Sequence, residues 1–258
     1  MADLEVISTA IEVLSSCPDG EFSLEIGDIR FFRELVGRLD ASDEQKETIR
    51  DYIEAKNYPA LNDMLDSIGK NDITKALKKL PGLFGGEEVF EKASRLFSDE
   101  KVDRILKSLR GLYSKVSGII GEGNLTVDLG MVNRTDYYTG VIIKGYLDGY
   151  GEEVLSGGRY DKLISEFGYD VPAAGFAVNV DAVTQVELKH RPVKAAPVDI
   201  IIFAEKGFET KALEKASELR NEGKKAEISL FDTIDETVKY AGIKNISEIV
   251  SINGKEAE

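Results

Sequence analysis

The sequence predicts an α+β protein: an antiparallel sheet with helices and a helical insertion, followed by a short α/β domain. Three observations lead there. Between Ser42 and Gly118 the apolar residues recur only at helical spacing. Eleven of the 24 glycines lie between Gly121 and Gly175, where they separate short β-rich segments; strands so closely spaced turn back on one another rather than cross over through helices. Beyond a linker with two prolines, Val198–Phe203 is a continuous apolar run, as expected of a strand covered on both faces, and it opens a βαβαβ series.

Residues 2–16 carry Leu4, Ile7, Ile11 and Leu14 on one helical face, and Cys17-Pro18-Asp19-Gly20 stops that helix. Phe22, Leu24 and Ile26 alternate with Ser23 and Glu25, the pattern of a half-buried strand. Gly27-Asp28 reads as a turn, with Asp28 capping a helix to about Leu39. Ser42 with Gln45 resembles a capping box that opens four or five short helices. They are broken at Asn57-Tyr58-Pro59, Ile68–Asn71, Leu80-Pro81-Gly82 and Gly85-Gly86, and Val102–Val116 forms the longest apolar stripe. Strands are expected at Leu125–Leu129, Tyr138–Leu147, Glu153–Leu155 and Ala173–Val180, with helices at Arg159–Phe167 and Asp181–Leu188. The tail reads as strand, helix (Phe208–Glu222), strand (Ala226–Leu230), helix (Asp232–Ala241) and strand (Ile246–Ile252). The expected organisation is a core of 1–39 and 119–190, a helical insertion at 40–118, a linker at 191–197 and an α/β domain at 198–258.

Composition narrows the chemistry. Of 258 residues, 42% are hydrophobic and 31% charged, with a net charge of −14. None of the segments 1–39, 40–120, 121–197 and 198–258 carries more basic than acidic residues, so the lysine- and arginine-rich stripe of a nucleic-acid binder is missing. One cysteine, Cys17, excludes an internal disulfide framework, and one histidine, His190, leaves no Cys/His cluster for a metal. No apolar run approaches the roughly 18–20 residues of a membrane span.

Three segments within 127–181 are the candidates for chemistry. Val127–Gly140 ends in Asp136-Tyr137-Tyr138-Thr139-Gly140, where strand alternation sends one tyrosine to a pocket and its neighbour to the core. Leu155–Leu163 contains Gly157-Gly158-Arg159-Tyr160-Asp161, whose glycines permit close backbone approach to a ligand. Pro172–Asp181 is a small-residue strand able to floor a cavity. Each alone has a plain structural explanation; their order and proximity point to a site.

Asp136–Gly140 and Gly157–Asp161 are similar to the two histidine-recognition motifs of histidyl-tRNA synthetases, and Pro172–Val183 resembles the third class II synthetase motif in outline. The resemblance implies a class II aminoacyl-tRNA synthetase-like core, followed by a short anticodon-binding-like domain. It assigns a histidine pocket to Tyr138, Tyr160, Asp136, Arg159, Gly157, Gly158 and Asn133, with Tyr138 and Tyr160 the leading contacts; Arg159 has a salt bridge to Asp161 or Asp136 as its alternative, and Tyr137 goes to the core. Two departures bear on activity. Where the synthetases carry an arginine three residues before the first motif's aspartate, this chain has Asn133; where an ATP-contacting arginine follows the third motif's acidic residue, it has Ala182 after Asp181. Neither replacement supplies a bidentate guanidinium, and one such group is worth about 3–4 kcal/mol in a transition state that develops phosphate charge. Regions like the first two class II motifs are not found, so the chain reads as beginning after them, with an exposed sheet edge to be covered by another chain.

A histidine pocket without ATP chemistry resembles the regulatory subunit of ATP phosphoribosyltransferase, the first step of histidine biosynthesis. That implies a cytoplasmic, non-catalytic, allosteric protein without cofactor or metal. Its partners would be a short-form catalytic subunit whose activity needs it, a second copy of itself, and L-histidine as effector, with neither membrane nor tRNA. The alternatives are a divergent or split histidyl-tRNA synthetase and a synthetase-derived amino-acid sensor.

Overall fold

A computed structural model describes residues 1–17, 21–132, 137–193 and 197–253. It divides into two compact units, Met1–Pro192 and Val193–Glu258. The first contains helix α1 (Ala2–Ser15), strand β1 (Phe22–Asp28), helices α2 (Ile29–Val36), α3 (Asp43–Glu54), α4 (Tyr58–Ile68) and α5 (Asp72–Lys79), strand β2 (Phe84–Gly85), helices α6 (Glu88–Leu96) and α7 (Glu100–Ile120), strands β3 (Leu125–Asp128), β4 (Val141–Leu147), β5 (Leu155–Arg159) and β6 (Ala174–Val178), and helix α8 (Val180–His190).

The helix starts follow local hydrogen bonding. Asp28 is buried, accepts the Arg30 N–H at 3.0 Å to cap α2, and holds the Arg30 guanidinium at 2.5 Å. Ser42 and Gln45 form a reciprocal capping box on α3, and Asn71 and Thr74 another on α5. Asn57 caps α4, whose first turn accepts Pro59 because a proline there sacrifices no helical hydrogen bond.

The sheet order is β2-β3-β1-β4-β5-β6. Its β1–β4, β4–β5 and β5–β6 pairs are antiparallel, but β1 and β3 are parallel, so the sheet is mixed rather than purely antiparallel. The helices between β1 and β3 provide the long crossover that a parallel pair needs. That stretch is not solely helical either: Phe84–Gly85 pairs with Val127–Asp128 and forms one sheet edge. The same stretch packs against the sheet. Ile49, Leu61, Leu77 and Leu109 share one hydrophobic core with Leu24, Ile26 and Ile143 of the sheet, and α7 lies against α1, β1 and β3.

Four local expectations change. Gly27 and Asp28 are not a turn but the last residues of β1, paired with Ile142 and Val141 of β4. Tyr138 precedes β4 rather than starting it. β5 runs through Leu155–Arg159, so Gly157 and Gly158 sit inside the sheet instead of before a helix. No α-helix spans Arg159–Phe167; Arg159 closes β5 and only Ile164–Phe167 forms a 3-10 turn. The strand absorbs both glycines because neighbouring backbones press on them: a Cβ on Gly157 would collide with the Gly175 carbonyl and Phe176, and one on Gly158 would lie 2.5 Å from the Val141 carbonyl oxygen.

The second unit contains β7 (Ile200–Ala204), α9 (Glu209–Asn221), β8 (Ala226–Ile228), α10 (Ile234–Lys244) and β9 (Glu248–Ile252). Its parallel sheet has the order β8-β7-β9. The central strand is buried on both faces: Ile200 and Ile202 pack with Ala212, Ala216 and Leu219 of α9, and Ile201 packs with Ala241 of α10. Two-sided burial explains the unbroken apolar run read in the sequence.

Candidate functional site

The six-stranded sheet has two unlike faces. Leu24, Ile26, Ile143 and Leu155 point into the core beneath α1 and α7. On β4, an added Cβ at Gly145 would lie 2.7 Å from Leu14 Cδ1, so the glycine lets α1 settle directly on the strand. The alternate residues point the other way. Glu25 of β1 stands opposite Lys144 of β4, which stands opposite Ser156 of β5. With Tyr146 and Asp128 they floor a cavity of about 440 Å³. Lys56 and Tyr58, at the α3–α4 junction, and Phe84 of β2 form walls, so the helical stretch and its short strand shape the site.

The floor is a hydrogen-bonded array of unusual charge. Tyr146 Oη donates to Glu25 Oε2 at 3.0 Å. Asp128 Oδ1 accepts the Gly130 N–H at 2.8 Å, and Lys144 Nζ pairs with Glu153 at 2.6 Å. Burial pushes the Glu25 carboxyl above its ordinary range, an effect that the Tyr146 hydrogen bond offsets in part and the Asp128 charge reinforces. Burial likewise raises Asp128, and the Gly130 N–H and the charge of Lys144 counter it only partly. Neither carboxylate has an ion-pair partner among the described residues. The tyrosines respond too: burial first, then the neighbouring Glu25 charge, raises Tyr146.

Of the residues assigned by motif, Tyr138 lines the cavity. It is buried, and its ring packs where a Gly158 side chain would stand, with Cδ1 2.9 Å from that added Cβ. Burial raises its hydroxyl, with Tyr137 the next contribution. Tyr137 is half-buried; its ring lies tilted against Tyr138, centroids 4.3 Å apart, and edge-on to Tyr160 at 6.0 Å. Tyr160 is not among the residues that line the cavity; its hydroxyl lies over Gly175. Gly157 and Gly158 approach neighbouring protein backbone. Arg159 turns to the other side, where its guanidinium binds Asp3 and Asp161, each at 2.8 Å. Asn133 and Asp136, like Arg134, lie outside the described residues. Ala182 is fully buried in the first turn of α8 and gives its N–H to Asn179.

Sequence reasoning missed Glu25, Asp128, Lys144, Tyr146 and Glu153. A signal was present: Glu25 sits between Leu24 and Ile26, and Lys144 and Tyr146 flank Gly145 in an apolar strand. Charges alternating with core residues mark a polar face, although periodicity cannot tell a solvated face from a cavity floor.

Four carboxylates (Glu25, Glu54, Asp128, Glu153) and two amines (Lys56, Lys144) line the cavity, with no arginine among the described lining residues. Such a surface favours a small molecule bearing a positive group over a polyphosphate. Among the described residues no cluster of acidic, histidine or cysteine side chains is placed to hold a metal, and no helix is long and apolar enough to cross a membrane.

The comparisons with known proteins agree with this architecture. The family model described as histidyl-tRNA synthetase matches residues 1–183. The chain is 41% identical over 253 residues to the ATP phosphoribosyltransferase regulatory subunit of Clostridium acetobutylicum, covering 96% of this chain and 62% of that protein. It is similar, with a TM-score of 0.67 and 25% identity, to a crystal structure titled ATP phosphoribosyltransferase regulatory subunit/histidyl-tRNA synthetase from Bacillus halodurans, covering 98% of this chain and 65% of that one. The histidyl-tRNA synthetase of Nostoc shares the fold at a TM-score of 0.63 and 18% identity, over 95% of this chain and 61% of that one. The chain thus spans less than two thirds of the length of these relatives. A matching model over most of the sequence and the class II synthetase-like fold lead to one conclusion: the chain belongs to the histidyl-tRNA synthetase family.

Proposed function

We propose that this chain is a non-catalytic, cytoplasmic regulatory subunit of ATP phosphoribosyltransferase, required by a short catalytic subunit and bound by L-histidine on the polar face of its six-stranded sheet. The observation that carries the reading is the composition of the cavity: two partly desolvated carboxylates without ion-pair partners, and no described guanidinium. The α-ammonium group of histidine suits Glu25 and Asp128, and Tyr138 offers an aromatic wall with a hydroxyl for the imidazole. Adenylate formation needs the opposite surface, because cations must meet the charge developing on the phosphates. The buried Ala182 cannot provide one. The name borne by the 41%-identical relative supports the same reading.

Regulation requires that histidine bind two states of the assembled enzyme with different affinity; about 1–3 kcal/mol of coupling is typical. The test is reconstitution with a short-form catalytic subunit. ATP phosphoribosylation should rise on adding this chain and fall when histidine follows. Histidine-dependent pyrophosphate exchange by the chain, without any effect on the transferase, would favour a synthetase instead.

A further inference from the structure

We propose that Lys56 binds the α-carboxylate of the amino acid held in the cavity and so restricts the site to ligands that carry both charges. The inference deepens the histidine reading of the polar face and rests on it. Lys56 follows α3 in a left-handed conformation, with φ at 53°. Its N–H bonds to the Ile53 carbonyl at 3.1 Å, and the Asn57 N–H bonds to the Tyr52 carbonyl at 2.8 Å. This paired closure of a helix end forces the residue at its centre into the left-handed region, where a Cβ is strained and glycine or asparagine is the usual occupant. Elsewhere the chain follows that preference. The same two bonds close α9 on Gly223 (φ 84°) and α10 on Asn245 (φ 55°). At α3 the position is given to a lysine.

The fold itself does not call for that side chain. Lys56 is exposed and enters no ion pair among the described residues. What it reaches is the cavity: it forms part of the wall, near enough that its charge acts on both Glu25 and Asp128. A residue held in a strained conformation without a structural reason points to function, and the lining says which. An amino acid brings an ammonium group and a carboxylate into the site together. The carboxylates of the floor suit the first, and the second needs a cation. Lys144, the other amine of the lining, is held by Glu153 at 2.6 Å. Lys56 is the amine left for the ligand, on a long stem that can swing from the wall toward a bound carboxylate.

Lys56→Gly and Lys56→Asn suit the left-handed conformation but remove the charge, whereas Lys56→Arg keeps it. Calorimetric titration of the full chain with L-histidine and with histamine, which has the ammonium and imidazole groups but no carboxylate, separates the roles. Affinity for L-histidine should fall at least about fivefold in Lys56→Gly and Lys56→Asn and stay within about twofold of wild type in Lys56→Arg. Affinity for histamine should stay within about twofold in all three, because the ammonium group is bound elsewhere. Lys56→Gly should also melt about 2–4 °C above wild type as the strain is relieved. Unchanged L-histidine affinity in the two neutral variants, an equal fall for histamine, or a lower melting temperature for Lys56→Gly would overturn the assignment of Lys56 and leave the histidine reading standing. No heat from wild type with either ligand, with or without the catalytic subunit, would overturn both.

Discussion

The two faces of the six-stranded sheet use the same strands for opposite purposes. On one, Leu24, Ile26 and Ile143 are sealed under helices and gain stability from leaving water. On the other, Glu25 and Asp128 are held partly out of water with no ion-pair partner among the described residues, an arrangement that costs stability. A protein that tolerates the second face while perfecting the first is keeping a surface for something other than its own fold.

The comparison breaks most visibly on the apolar side. Leu24→Ala removes a fully buried side chain and should cost about 2–5 kcal/mol in denaturant unfolding. A smaller cost joins the two faces. In Gly158→Ala the new methyl would meet the Val141 carbonyl oxygen and the Tyr138 ring; we expect about 1–3 kcal/mol of destabilisation together with weaker histidine binding, because the ring must shift.

The polar face should behave in the reverse sense. Asp128→Asn keeps an acceptor for the Gly130 N–H but removes the desolvated charge, so the melting temperature should rise by about 2–4 °C, roughly 1 kcal/mol for a unit of this size. The pH dependence has a definite sign. Glu25 and Asp128 are raised in the fold, so their protonated forms are favoured there; the associated stability is present below the ordinary carboxylate range near 4 and is lost as pH rises through the raised values. The stability advantage of a Glu25→Gln/Asp128→Asn double variant over wild type should thus be near zero at low pH and grow toward neutrality in thermal melts. A constant advantage would contradict the burial of these charges. Smallest is Tyr138→Phe, which keeps the ring over Gly158 and should weaken histidine binding by roughly 3–10-fold in calorimetry, the worth of one hydrogen bond.

Much of this was legible in the residues. The Ser42–Gln45 capping box, the helix breaks and the doubly buried β7 follow from local chemistry that tertiary packing did not override. Gly157-Gly158 misled because the same pair signals a turn or a strand pressed by its neighbours, and only the sheet's register decides. The parallel β1–β3 pair was hidden because its partners lie some hundred residues apart in sequence. Tyr138 was visible through its motif; Glu25 and Asp128 were not, since a charge alternating with leucines looks the same on a wet surface and on a cavity floor.

The central claim is that the polar face holds the ammonium group of a small molecule through its carboxylates. Calorimetric titration of L-histidine into wild type and Asp128→Asn at neutral pH tests it most directly. We predict measurable heat with wild type and an affinity roughly 10–100-fold lower in the variant, the usual worth of a charge-assisted hydrogen bond. Equal affinity for the two proteins, or no binding to wild type with or without the catalytic subunit, would contradict it.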